Sequence, residues 1–360
     1  MPAPGATAVG ICTRKFSATA YIRLILPLFH QSLAAKIAPR LLDLNKINNM
    51  QMEKQQNFFF NSSSLVIQRD CLNLPAAEKI IAEGRKRGIK IIYEIDDDLL
   101  SIGEDHPEYK KYQAKNAVIK YLSQNADLVT VSTANLARCF NNCKRVYVIK
   151  NALDEKLWFS PVAARPAKDK YRIKIGYLGS PTHNSDLELL KEPVLRLKEK
   201  LKKKFGLEAV LYVTGGPGGK PDQQNWFRQI PVPKGKSLYP NYVEWLRKTI
   251  DWHIGVAPLQ NTRFNQSKSE LKYLEYTALG LPGIYCNTGA YSDVIKHGKN
   301  GLLAPSDDPE SWAYSLFQLI TDKELQKQII TNARYNVHRH YLLKHRAGLL
   351  KKIYSSSAKG

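Results

Sequence analysis

Arg263-Phe-Asn-Gln-Ser-Lys-Ser-Glu-Leu-Lys-Tyr-Leu-Glu-Tyr-Thr-Ala-Leu-Gly-Leu-Pro282 runs into Gly283-Ile-Tyr-Cys-Asn-Thr-Gly-Ala-Tyr-Ser-Asp-Val-Ile295 and then, after two residues, Gly298-Lys-Asn-Gly-Leu-Leu-Ala-Pro305. Ser267 or Ser269 is a candidate helix cap, Leu271, Leu274 and Ala278 form an apolar stripe, and Gly280 before Pro282 ends the helix. Gly283–Cys286 then reads as a short buried strand. Seven residues, two helical turns, separate Lys268 from Glu275, so both are expected on one face, with Lys268 beside the unpaired N–H groups of the first turn. A diphosphate would meet there a cation, backbone donors and the positive end of a helix dipole. Glu275 can accept two sugar hydroxyls, as a ribose presents them. Taken alone, the two residues are more simply a charge pair on a solvated face. The order of the whole stretch argues otherwise: capped helix, stop, strand, Thr288-Gly289-Ala290-Tyr291 turn, new helix, Asn300-Gly301 turn, strand.

That order resembles the nucleotide-binding half of GT-B glycosyltransferases, in particular the retaining family-4-like enzymes (glycosyl transferases group 1). The resemblance implies an α/β chain of two Rossmann-like doubly wound domains facing each other across a cleft. It also implies that Glu275 holds the donor ribose, that Lys268 with Ser267 and neighbouring amides holds the diphosphate, and that Gly289 and Ala290 contribute further donor contacts. The family commonly carries a second glutamate eight residues before Glu275, where this chain has Ser267. A non-catalytic relative therefore stays among the alternatives. No cofactor or metal is implied; the nucleotide sugar is a substrate.

The 360 residues suffice for two cores. With 54 Lys+Arg against 32 Asp+Glu the net charge is +22, which favours polyanionic partners: nucleotide phosphates, an anionic membrane surface or nucleic acid. No nucleic-acid module accompanies the dispersed basic residues, so no specific nucleic-acid partner is expected. Cys12, Cys71, Cys139, Cys143 and Cys286 lack metal-ligand spacing and read as reduced thiols. No apolar run reaches the ~20 residues of a membrane span, and no cleavage site follows 21–33, so a cytoplasmic protein, peripheral on the inner face of the membrane, is expected.

Repeated strand-helix-strand units assign 1–159 to a first domain, 160–170 to a linker, 171–333 to a second domain and 334–360 to a terminal helix. The resemblance implies that the first domain is acceptor-side, that the second binds the nucleotide sugar and that the terminal helix crosses back to the first. A strand at 6–13 is followed by a helix at 18–33 kinked near Pro27, a loop at 45–64, and further strands near 65–68, 88–95, 126–132 and 146–150. Ligands on such sheets bind beyond the strands' carboxyl ends, where Gln68-Arg69-Asp70 and Asp96-Asp97-Asp98 stand. The Asp triplet suits a helix cap or a metal site equally well. In the resembling enzymes an acidic cluster here faces the cleft, which implies that Asp96, Asp97 or Asp98 orients the acceptor or takes its proton. His106 stands at the entry of a helix expected over 107–124. In the second half, Gly179-Ser180-Pro181-Thr182 follows a strand at 171–178. It resembles the loop beneath the donor diphosphate, with Gly179, Ser180 and Thr182 as contacts, although alone it is an ordinary turn. His253 reads as a core or strand-end residue. The reading is sugar transfer from a nucleotide-sugar donor to a glycan or lipid-linked acceptor in surface polysaccharide or glycoconjugate synthesis. A nucleotide-sugar epimerase and a basic nucleic-acid-binding protein are the rivals.

Overall fold

The computed structural model describes residues 5–43, 61–161, 167–215 and 226–355. The chain folds as two units. One comprises Met1–Asp154, Ser267–Ser269 and Leu342–Gly360; the other, Glu155–Gln266 and Glu270–Tyr341. Most of the loop expected over 45–64, and residues 162–166 of the linker expected over 160–170, fall outside the described residues.

The first unit is built on six strands: β1 Thr7–Thr13, β2 Ile37–Asp43, β3 Ser64–Gln68, β4 Lys90–Ile95, β5 Leu128–Val131 and β6 Val146–Val148. They form a parallel sheet in the order β2-β1-β3-β4-β5-β6. β3 and β4 are buried at every position, as strands covered on both faces must be. β2 had not been expected from the sequence. Pro39 interrupts its pattern, and the strand sits at the sheet edge paired only with β1, where a proline is tolerated.

In the second unit β7 is Arg172–Leu178, β8 Glu208–Thr214, β9 Phe227–Ile230, β10 Ile254–Ala257, β11 Gly283–Cys286 and β12 Leu302–Ala304. Their order is β12-β11-β10-β7-β8-β9, again parallel throughout. Read from β7 outward, three strands run one way and three the other. This is doubly wound order with its switch point between β7 and β10, where such sheets open a crevice at the strands' carboxyl ends. In the first unit the reversal lies between β1 and β3.

Three helices differ from expectation. The helix after β1 is Ala18–Ala20 and Leu26–Leu28 with one π-helical stretch, Tyr21–Ile25, between them, and it ends before a separate turn at Gln31–Leu33. The helix expected over 107–124 is two, Tyr109–Gln113 and Asn116–Asn125. The terminal helix is also broken. Lys323–His340 stops at Tyr341, a short 3₁₀ turn follows at Leu343–Arg346, and Ala347–Ser355 forms the last helix. That last helix completes the first unit: Leu350, Ile353 and Tyr354 join Val9, Ile11, Leu24, Val66 and Ile92 in one buried cluster. Its final carbonyls are satisfied from the sheet, Ile353 by Lys90 Nζ at 2.7 Å and Tyr354 by Ser64 Oγ at 3.1 Å.

Candidate functional site

In the second unit the carboxyl ends of β7, β10 and β11 are tied into one frame. Tyr276 does part of this from the helix Leu271–Ala278: its hydroxyl donates to Val256 O of β10 (2.8 Å) and accepts from Leu178 N–H of β7 (3.1 Å). Gly255 makes the approach possible, since a Cβ there would lie 2.6 Å from the Tyr276 ring. The rest is done by Asp186, a buried carboxylate on the short helix after β7. Asp186 accepts from Gln260 N–H (2.8 Å) and Asn265 Nδ2 (2.9 Å) beyond β10, and pairs with His183 Nδ1 (2.8 Å) in the turn after β7. Sequence reasoning missed Asp186, Gln260 and Asn265. The one available signal was the three-residue spacing of His183 and Asp186, which is too common to single out.

Around this frame backbone groups come close together. Gly179 N–H donates to Thr214 O (3.0 Å), and Gly215, with φ +70°, lies so near that a Cβ on it would be 2.4 Å from Gly179 O. Ser180 and Thr182 share a hydroxyl–hydroxyl bond of 2.8 Å. Gly289, at φ +54° after β11, lies against Gln266 O, which a Cβ would approach to 2.8 Å, and Ala290 is buried behind it. Glu275, beside Tyr276, is 3% exposed and accepts from Lys272 Nζ at 2.9 Å. Burial pushes the Tyr242 hydroxyl well up, with the Glu275 charge adding to the shift. The structure thus brings Gly179, Ser180, Thr182, Glu275, Gly289 and Ala290 to one end of one sheet.

Ser267 and Lys268 are a correction. The helix begins at Leu271 with Glu270 as its cap residue, so neither Ser267 nor Ser269 caps it and Lys268 is outside its first turn. Ser267–Ser269 groups with the first unit instead: Ser267 Oγ accepts from Asp98 N–H (3.3 Å), Ser267 O from Thr133 Oγ1 (2.8 Å), and Ser269 Oγ from Asn151 Nδ2 (2.8 Å). These hydroxyls are used on backbone and amide groups that local capping would have left without them.

In the first unit Arg69 gathers the first two carboxylates of the acidic triplet. It follows β3 at φ +50°, a conformation rare for a residue with a side chain. Its Nη1 donates to Asp96 Oδ1 (2.8 Å) and lies 3.4 Å from Asp97 Oδ2, and its Nη2 donates to Tyr112 Oη (3.1 Å). Burial raises the Asp96 carboxyl above its ordinary range; the Arg69 charge opposes this and Asp97 adds to it. Asp98, the third of the triplet, is buried at 1% exposure. His106 lies in a turn ahead of the helix Tyr109–Gln113, where Nδ1 accepts from Glu108 N–H (3.1 Å), and it is not among the groups that Arg69 gathers. Behind them Glu94 accepts from Arg23 (2.7 Å) and Gln68 (3.1 Å) in a fully buried network. His253 bridges strand ends, accepting from Lys174 N–H and donating to Asp169 O. No group of three His, Cys, Asp or Glu side chains among the described residues is placed to hold a metal.

Residues 172–322 match the family model for glycosyl transferases group 1. Over 155 residues the chain is 32% identical to a Bacillus subtilis (strain 168) protein provisionally named glycosyltransferase YtcC, covering 41% of this chain and 38% of that one. Over 133 residues it is 27% identical to D-inositol 3-phosphate glycosyltransferase of Jonesia denitrificans, covering 34% and 30%. The chain therefore spans about a third of the length of these relatives. The crystal structure of Anabaena Alr3699/HepE in complex with UDP-glucose superposes with a TM-score of 0.67 at 12% identity, covering 97% of this chain and 99% of that one. That of TarM gives 0.58 at 14% identity, covering 81% and 55%. The fold is the GT-B fold.

Proposed function

We propose that this chain moves a glycosyl unit from a nucleotide-sugar donor held on the second unit to a glycan or lipid-linked saccharide held on the first. One observation carries the reading: backbone at Gly179, Gly215 and Gly289 is packed so closely that no side chain fits, at the carboxyl end of a doubly wound sheet and on the same unit as the buried carboxylate Glu275. Turns that lack Cβ atoms at the strands' carboxyl ends suit a diphosphate held by backbone amides other than that of Gly179, which is spent on Thr214 O, and a carboxylate suits ribose hydroxyls. The chemical demand is charge developing on the departing nucleoside diphosphate. Fixed N–H groups of the second unit are assigned to it in place of a metal, and the Lys268 ammonium, assigned from the sequence and carried by a segment that groups with the first unit, is tested separately as a point charge. On the first unit, Asp96, with its raised affinity for a proton, is assigned to the acceptor hydroxyl. Retention of configuration rests on family resemblance, and surface polysaccharide or glycoconjugate synthesis is the setting it suggests.

Incubation with UDP-, GDP- and ADP-sugars tests this through release of the diphosphate. Slow donor hydrolysis with one of them, insensitive to EDTA and reduced by Lys268→Ala, is expected; no release with any donor rejects it. Lys268→Ala should cost about 1.5–3 kcal/mol of diphosphate affinity, the range for hydrogen bonds to charged groups.

A peripheral position on an anionic membrane is the second element. No helix among the described residues is long and apolar enough to cross a membrane. The helix Lys191–Phe205 instead exposes Leu195 and Phe205 among Lys200, Lys202, Lys203 and Lys204. Each lysine held near an anionic surface contributes about 1 kcal/mol. Co-sedimentation with anionic but not neutral vesicles, reversed above ~0.15 M salt, is the expected result. Equal recovery in the supernatant with both at low salt removes the membrane from the account.

A further inference from the structure

The first unit holds a cavity of about 340 Å³ formed by Leu99, Ile102, Glu104, Tyr109, Tyr112, Gln113 and their neighbours. It lies in the chain that leaves the carboxyl end of β4, immediately after the acidic triplet, on the side of the sheet where ligands of such folds bind. Its size falls in the ~300–1,000 Å³ range of small-molecule sites. Leu99 and Ile102 are buried, and the remaining groups named are hydroxyls, an amide and one carboxylate.

The polar groups form an ordered set. Gln113 Nε2 donates to Tyr109 Oη (3.3 Å), and Tyr109 Oη donates to Glu104 Oε1 (3.3 Å). Tyr112 Oη receives two donors, Arg69 Nη2 (3.1 Å) and Lys111 Nζ (3.3 Å). A phenol oxygen filled by two donors has its own proton left to give, so Tyr112 is turned into a donor for a ligand oxygen. The same Arg69 holds Asp96 at 2.8 Å, which links the cavity to the carboxylate through one guanidinium.

The charge of the lining decides the ligand class. The chain has 54 Lys+Arg against 32 Asp+Glu, yet among the described residues no lysine or arginine lines this cavity and Glu104 does. A phosphate or carboxylate ligand would find a like charge in the lining, and the two cations that reach the Tyr112 hydroxyl, Arg69 and Lys111, are already paired with Asp96 and Glu108. An uncharged ligand with an apolar ring face and a rim of hydroxyls matches aliphatic side chains, two tyrosine rings and neutral donors and acceptors. We infer that this cavity binds a neutral saccharide unit of the acceptor. The inference rests on the proposed transfer reaction for the word acceptor, but the binding itself does not depend on it.

Saturation-transfer NMR with a mixture of glucose, galactose, mannose and N-acetylglucosamine and their disaccharides tests it on the full chain. Transfer to at least one sugar is expected. Gln113→Trp, a change at an exposed helix position that fills the mouth, and Tyr109→Ala should each weaken that binding about tenfold, the equivalent of ~1.4 kcal/mol. Circular dichroism of each variant checks folding; should Tyr109→Ala unfold, Gln113→Trp decides. No transfer to any sugar, or transfer unchanged in folded Gln113→Trp, overturns the inference. Titration of the wild-type protein with UDP, GDP and ADP runs alongside. Diphosphate binding without saccharide binding removes this inference alone. Saccharide binding that the variants abolish, with no diphosphate binding, removes the transferase reading and keeps the cavity.

Discussion

Asp186 carries more of the second unit's site than any residue that touches the candidate donor position. It is 3% exposed and satisfies a backbone N–H, an amide and an imidazole from three segments. Asp186→Ala would remove an acceptor from all three, of which buried Asn265 keeps only Gln260 O and half-buried His183 and Gln260 can turn in part to water, at about 1–3 kcal/mol for each group that water cannot reach. A stability loss of roughly 3 kcal/mol by denaturant melts is expected, with donor hydrolysis falling further than the fraction unfolded explains. A melt within about 0.5 kcal/mol of wild type, the scale of ordinary surface substitutions, would show that the frame holds without it. Glu275 could be singled out in the sequence because its neighbours, the helix stop and the following strand, are local. Asp186 could not be, because its partners lie 74 and 79 residues away. Arg69 was legible only as a position at a strand end. Its left-handed backbone and its hold on Asp96 and Asp97 come from a sheet register that no local pattern records.

Among the elements, those whose period and boundaries are local were read closely. Gly283–Cys286 forms where its short apolar run and the preceding Pro282 place it. Misreadings occurred where tertiary contacts override local signals. Ser267 and Ser269 look like caps but bond to Asp98 and Asn151, so the helix starts later, at Leu271. The continuous basic helix expected from 334 onward breaks at Tyr341 because its last part packs into the first unit's core. Leu350, 1% exposed, is central to that docking. Leu350→Ala should cost about 2–5 kcal/mol in the first unit, as large-to-small core changes do. Hydrogen exchange would then show faster exchange in β1, β3 and β4 with the second unit's strands unchanged. Uniform acceleration of both units would mean that the helix stabilises the chain as a whole.

At the scale of the molecule, alternation of strands and helices was enough to place two doubly wound sheets, and the order of elements from 263 to 305 to suggest which of them takes a nucleotide. The strand orders themselves, with reversals at β1/β3 and β7/β10, follow from the crossovers and were not visible in the sequence. The net charge of +22 told little about location, since it is spread over the sequence and yet spares the cavity beyond β4. The central claim is that the second unit binds a nucleoside diphosphate through the backbone loops after β7 and β11 and the carboxylate of Glu275. Calorimetric titration with UDP, GDP and ADP, on wild type and on Glu275→Gln, tests it most directly. One diphosphate should bind the wild type and lose at least ~1.5 kcal/mol in the variant, the scale of a hydrogen bond to a charged group, while the melting temperature stays close to wild type. Binding of none of the three, or equal binding by both proteins, would contradict the account.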